Sequence, residues 1–115
     1  MTGEQIRAVL EAPFGNTENP RALFPSIGFS YTYDLSRPRG SRVIDAQLDG
    51  VAIASSTVYR VTMNSFLASG GDGFTTFSQG SDALVGELDV DALENFLRVN
   101  PGVSPPSINR IRKAP

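Results

Sequence analysis

The sequence predicts an α+β domain with a mixed, mostly antiparallel sheet and flanking helices. Three observations carry that reading: a capped apolar stripe at helical spacing near the start, a run of alternating aromatics followed by hairpin signals, and a second apolar stripe behind a cluster of aspartates. The 115 residues, 40% of them hydrophobic, suffice for one domain over 1–115 with a modest core. There are no internal repeats.

The elements follow in order. Thr2 and Gln5 have capping-box spacing, and Ile6, Val9 and Leu10 lie on one helical face, so a helix is expected from Thr2 to just before Pro13. Gly15 to Pro20 reads as an irregular connection, followed by the apolar Leu23-Phe24-Pro25. Phe29, Tyr31 and Tyr33 alternate with Ser30, Thr32 and Asp34, the pattern of a half-buried strand with its aromatic face in the core. Ser36 to Gly40 forms a basic turn, and a returning strand starts at Val43-Ile44. Asp49-Gly50 is a hairpin signal before Val51 and Ile53. Tyr59 to Met63 is β-branched and aromatic enough to read as a further strand.

Beyond the glycine-punctuated 78–86 stretch, Ala83-Leu84-Val85 reads as a helical turn or an edge strand. Asp89 or Asp91 is expected to cap a helix bearing Val90, Leu93, Phe96 and Leu97, ended by Asn100-Pro101-Gly102. The tail from Val103 reads as an extended segment laid over the surface.

Composition narrows the chemistry. A formal charge of −2 offers no broad basic field for duplex nucleic acid, and nine of the ten cations are scattered arginines. Arg37, Arg39 and Arg42 gather about one exposed turn, which reads as solvated surface before it reads as an anion site. Without histidine or cysteine the chain lacks the commonest general base, transition-metal ligands and thiol nucleophile. No catalytic residue and no metal ligand is therefore assigned. Glu87, Asp89, Asp91 and Glu94 lack calcium-loop spacing and have a helix-capping explanation. No apolar run is long enough to span a bilayer, and no apolar signal segment stands near Met1.

The most informative stretch is YRVTMNSFLASGGDGFTTF, Tyr59 to Phe77, where the expected strand runs into Ser69-Gly70-Gly71-Asp72-Gly73. Glycines here let the backbone take φ > 0 and approach another body closely. A turn whose lone carboxylate caps its own amides accounts for Asp72 alone. The neighbouring rings of Phe66, Phe74 and Phe77 add a second possibility: a ligand with a π-face and a vicinal diol, as in a nucleoside, stacked on a ring while a carboxylate accepts from the sugar hydroxyls. Core packing is the competing account of the phenylalanines.

Asn64-Ser65-Phe66-Leu67-Ala68-Ser69-Gly70-Gly71-Asp72-Gly73-Phe74 resembles the N-x-F-L-A-x-G-G-D-G-[FY] signature of the C-terminal, substrate-binding domain of the 5'-nucleotidase and UDP-sugar hydrolase family. Thr2-Gly3-Glu4-Gln5-Ile6 through Leu10-Glu11 is similar to that family's T-G-x-Q helix, and Tyr33-Asp34 with Gly40-Ser41-Arg42-Val43 to its Y-D…G-x-R-V hairpin. The resemblance implies that Phe66 is one ring of a base sandwich, that Phe24 or its neighbour Leu23 holds the second stacking position, and that Asp72 accepts from the ribose, with Gly70, Gly71 and Gly73 shaping the loop. All should meet at the wall of one concave site.

The resemblance further implies a parent phosphoric ester hydrolase acting on nucleotides. Two divalent metal ions would sit in an N-terminal metallophosphoesterase domain outside this chain, and the location would be extracytoplasmic: secreted, periplasmic or at the cell surface. In that family the T-G-x-Q helix lies inside the domain, so an upstream part of the domain, bearing substrate-binding arginines, is expected before Met1. This fragment alone is expected to be inactive. A stand-alone binding or interaction module on the same scaffold is the alternative; metal ligands upstream in the full open reading frame separate the two.

Overall fold

The computed structural model of the chain describes residues 1–16, 18 and 20–115. The irregular connection expected over Gly15–Pro20 includes positions 17 and 19, which lie outside the described residues.

Helix α1 spans Gly3–Glu11. Its start is the expected capping box: the Gln5 amide donates to Thr2 Oγ1 at 3.2 Å, and Gln5 Oε1 accepts from the Thr2 amide at 2.8 Å. Such a cap contributes about 1 kcal/mol by satisfying otherwise orphaned amides. Val9 and Leu10 are buried, and a 3-10 turn over Ala12–Gly15 carries Phe14 into the interior. Gly3 is required by packing, because a Cβ there would stand 2.2 Å from the Ala54 carbonyl oxygen.

Strands β1 (Phe29–Tyr33), β2 (Val43–Leu48), β3 (Val51–Ala52) and β4 (Ile111–Lys113) form one sheet in the order β3-β2-β1-β4. The β1/β2 and β2/β3 pairs are antiparallel and β1/β4 is parallel, so the mixed, mostly antiparallel sheet is observed. Asp49 (φ 51°) and Gly50 (φ 80°) make the expected hairpin turn, whose two left-handed residues match the twist of the strands. A bulge leaves Ile44 without a partner, since Thr32 faces Asp45 while Tyr33 faces Val43.

Leu10, Phe14, Tyr31, Val43, Ala46 and Ile53 form the core between α1 and the sheet. The Phe14 and Tyr33 rings stack at 4.5 Å. The Ser36–Gly40 turn is built from its own residues: Asp34 Oδ1 accepts from the Ser36 amide and hydroxyl at 2.9 and 2.6 Å, and Arg37 approaches the same carboxylate at 3.7 Å. The Ser36 hydrogen bonds, then the Arg37 charge, hold the Asp34 carboxyl below its ordinary range. Arg42 donates to the carbonyls of Arg37 and Phe14. Two of the three clustered arginines are thus occupied in closing the turn.

Four expectations are corrected. Tyr59–Met63 is not a strand: only Val58 makes a bridge, to Thr2, and Tyr59 exchanges hydrogen bonds with Met1. Strand propensity produced no strand because, among the described residues, no backbone hydrogen-bonds to residues 60–63 to form a ladder. Ala83-Leu84-Val85 is neither helix nor strand and is exposed. The second long helix, α3 (Asp89–Val99; α2 is the short Ser65–Ala68), has Leu88 rather than an aspartate at its N-cap, with Asp89 already inside the first turn. The tail does not merely lie on the surface, because its last residues enter the sheet as β4.

Candidate functional site

The motif loop is built from short turns that hand the chain from one to the next. Asn64 caps α2 by accepting the Leu67 amide at 2.8 Å on Oδ1. The Ser69 hydroxyl donates to the Phe66 carbonyl at 2.9 Å. Gly70 then takes φ 88°, a left-handed conformation that reverses the chain, and a 3-10 turn follows over Gly71–Gly73. The 3-10 turn over Thr75–Gln79 ties the loop to α1, where Gln5 Nε2 donates to the Gln79 carbonyl at 3.4 Å. The capping glutamine of the first helix therefore also secures the far side of the loop.

Within this frame the Phe66 ring lies directly over Gly71. A Cβ at position 71 would stand 2.6 Å from two ring carbons and 2.6 Å from the Phe66 carbonyl oxygen, so only glycine admits the ring there. Phe66 remains 56% exposed, which separates it from the core aromatics. Asp72, one residue on, is exposed and left-handed at φ 54°, ψ 22°. Among the described residues its carboxylate makes no hydrogen bond and no ion pair. Asp34, by contrast, commits its carboxylate to its own turn. The left-handed conformation costs an L-residue roughly 1–2 kcal/mol, less for aspartate, and no local bond offsets it. Gly73 is also left-handed, at φ 81°.

A groove of about 670 Å³ opens beside the loop. Its floor is Ile6, Val9, Leu10 and Ile53 from the core side; Phe24 stands on one margin, and Leu67 and Phe77 come from the motif region. Arg60 is the one charged residue among the described residues that line it. Phe24 is 88% exposed, which removes the reading of it as a core ring, and Leu23 lines the same groove half-buried. Phe66 adjoins Leu67 on α2, and Asp72 and the loop glycines follow it in the next turn; these residues lie outside the groove lining itself.

The carbonyls on either side of Phe24 are fixed. The Tyr31 hydroxyl donates to the Leu23 carbonyl at 2.9 Å, and Arg110 Nη1 donates to the Pro25 carbonyl at 2.7 Å. Burial, with Tyr33 nearby, pushes the Tyr31 phenol well above its ordinary pKa, so it stays a protonated donor. Neither contact was legible in the sequence. Tyr31 reads as a core aromatic, and Arg110 lies 85 positions from its acceptor.

No group of three or more acidic, histidine or cysteine side chains converges among the described residues, and no helix of the described residues is long and apolar enough to cross a membrane.

Residues 1–79 match the family described as 5'-nucleotidase, C-terminal domain. The chain is 34% identical over 121 residues to the trifunctional nucleotide phosphoesterase protein YfkN of Bacillus subtilis (strain 168), covering 98% of this chain and 8% of that protein. It is 30% identical over 123 residues to a 5'-nucleotidase-related protein of Glossina morsitans morsitans, covering 96% of this chain and 22% of that one. The crystal structure of a 5'-nucleotidase precursor from Thermus thermophilus superposes with a TM-score of 0.85 at 32% identity, over 98% of this chain and 24% of that one. The chain thus spans less than a quarter of the length of each of these relatives.

Proposed function

Because the chain belongs to the 5'-nucleotidase C-terminal domain family, we propose that it is the part of a nucleotide-hydrolysing enzyme that grips the nucleoside. The observation that carries this reading is the pairing of an exposed Phe66 ring, seated on Gly71, with an uncommitted carboxylate on the very next residue, Asp72. An exposed aromatic face offers stacking to a base, and a free carboxylate accepts from vicinal hydroxyls. Phe24, held at the groove margin, is the second ring. Gly70 and Gly73 supply the left-handed backbone that presents Asp72.

In this reading the parent protein is a phosphoric ester hydrolase. An N-terminal metallophosphoesterase domain holds two divalent ions that activate water, and this chain contributes substrate selection and no reacting group. The relatives, a nucleotide phosphoesterase and a 5'-nucleotidase precursor by name, support the substrate class. An extracytoplasmic location belongs to the same proposal, on the analogy of the family alone.

The test is a titration of the 115-residue chain with adenosine and with AMP, followed by NMR shifts. Stacking contributes roughly 1–3 kcal/mol per base and a hydrogen bond to a charged acceptor about 1.5–3 kcal/mol, against the lost freedom of the ligand. Both ligands should therefore bind weakly and alike, at a Kd on the order of millimolar, equivalent to about −4 kcal/mol. Phe66→Ala and Asp72→Asn should each weaken both. Unchanged binding in both variants removes the motif loop from the site, and micromolar AMP beside weak adenosine would relocate recognition to a phosphate site.

A further inference from the structure

We propose that Tyr31 and Arg110 act together as a clamp that positions Phe24, making the C-terminal segment a working part of nucleoside recognition. This rests on the reading of Phe24 as a stacking ring, and it adds residues that the motif does not contain: Arg110 lies beyond the residues 1–79 that match the family.

The geometry is compact. β4 pairs in parallel with β1, Tyr31 opposite Ile111, and the Tyr31 amide donates to the Arg110 carbonyl at 2.9 Å. The two clamp residues are thus fixed to each other through their backbones. Each then reaches the same tripeptide: the Tyr31 hydroxyl takes the carbonyl before Phe24, and the Arg110 guanidinium takes the carbonyl after it. A side chain that is 88% exposed has little packing to hold it. Fixing both flanking carbonyls restrains the backbone there, so the ring meets a ligand with less ordering left to be done. The Ser26 carbonyl accepts the Phe29 amide at 3.3 Å and the Gly28 carbonyl accepts the Asp49 amide at 2.7 Å, which joins the segment to β1 and to the β2–β3 hairpin. Apart from Phe24, no element of this device needs to touch the ligand. Tyr31 and Arg110 are positioning residues.

The experiment uses the 115-residue chain, with adenosine as probe. Arg110→Met keeps the aliphatic stem and removes the donors, while Tyr31→Phe removes one hydroxyl and keeps the ring. Each should weaken adenosine about threefold to tenfold, the share of one hydrogen bond that reaches the ligand, with the amide spectrum otherwise that of the folded chain. Arg110→Lys, which can still donate to the Pro25 carbonyl, should restore part of the affinity. The decisive arm is a double-mutant cycle: once Phe24→Ala is present, Arg110→Met should have no further effect, because a positioning residue acts only through the ring it positions. Equal loss in both backgrounds overturns the clamp as a positioning device, as does wild-type binding by Arg110→Met when Phe24→Ala weakens. If Phe24→Ala binds like wild type while Phe66→Ala does not, the role of Phe24 falls, and the clamp with it, while the Phe66 and Asp72 reading stands.

Discussion

At the scale of single residues, Gly71 and Asp72 show how a motif position acquires its identity. Gly71 is glycine because of the ring above it, since a methyl group there would have to displace Phe66 from a distance of 2.6 Å. Gly71→Ala is expected to cost about 1–3 kcal/mol through the displaced ring and backbone, and to weaken adenosine at least as much as Phe66→Ala. Thermal unfolding together with the adenosine titration checks this; a variant with wild-type stability and affinity would show that the ring has room to move. Asp72 is an aspartate in a glycine's conformation, with its carboxylate uncommitted. Asp49 has the same backbone hand but sits in a hairpin turn that accounts for it. At Asp72 the conformational cost is left without a local reason.

Among the elements, α1 and α3 contrast most. Their amphipathic patterns are alike, yet α1 buries Val9 and Leu10 against the core, while Val90, Leu93, Phe96 and Leu97 of α3 stay 50–62% exposed. Arg98 pairs with Glu94 at 2.5 Å, an exposed i,i+4 contact worth only about 0.3–0.5 kcal/mol. A helix of 11 residues without a packed face is marginal in water, because nucleation is costly and propensity alone barely offsets it. Amide exchange of α3 should therefore run close to the unprotected rate, while β1 and β2 exchange many orders slower. Protection in α3 equal to that of the sheet would mean its apolar face is covered in solution.

The whole molecule joins distant pieces around one small core. Its first and last segments both serve the groove: α1 supplies the floor and ties down the motif loop through Gln5, and β4 brings Arg110 to the Phe24 segment. The sequence holds neither histidine nor cysteine, and no acidic cluster converges among the described residues. The isolated chain should accordingly release no phosphate from AMP, with or without added divalent metal. A phosphate-release assay on purified protein decides this, and metal-dependent turnover that co-purifies with the chain would overturn it.

Local chemistry made a good deal of this protein legible from its sequence: the Thr2–Gln5 capping box, the β1 alternation, the Asp49-Gly50 turn and the glycine motif each need only residues within a few positions of one another. Burial partners are not local. The same helical stripe is core in α1 and exposed in α3, and the strand-like stretch 59–63 forms no strand because, beyond the single Tyr59–Met1 contact, none of the described residues pairs with its backbone. Sequence alone leaves Phe24 open between core and shelf; in the tertiary structure it is 88% exposed, between carbonyls bonded to Tyr31 and Arg110. That clamp joins residues up to 85 positions apart. No pattern within a single stretch encodes it, because it exists only once β4 has closed against β1.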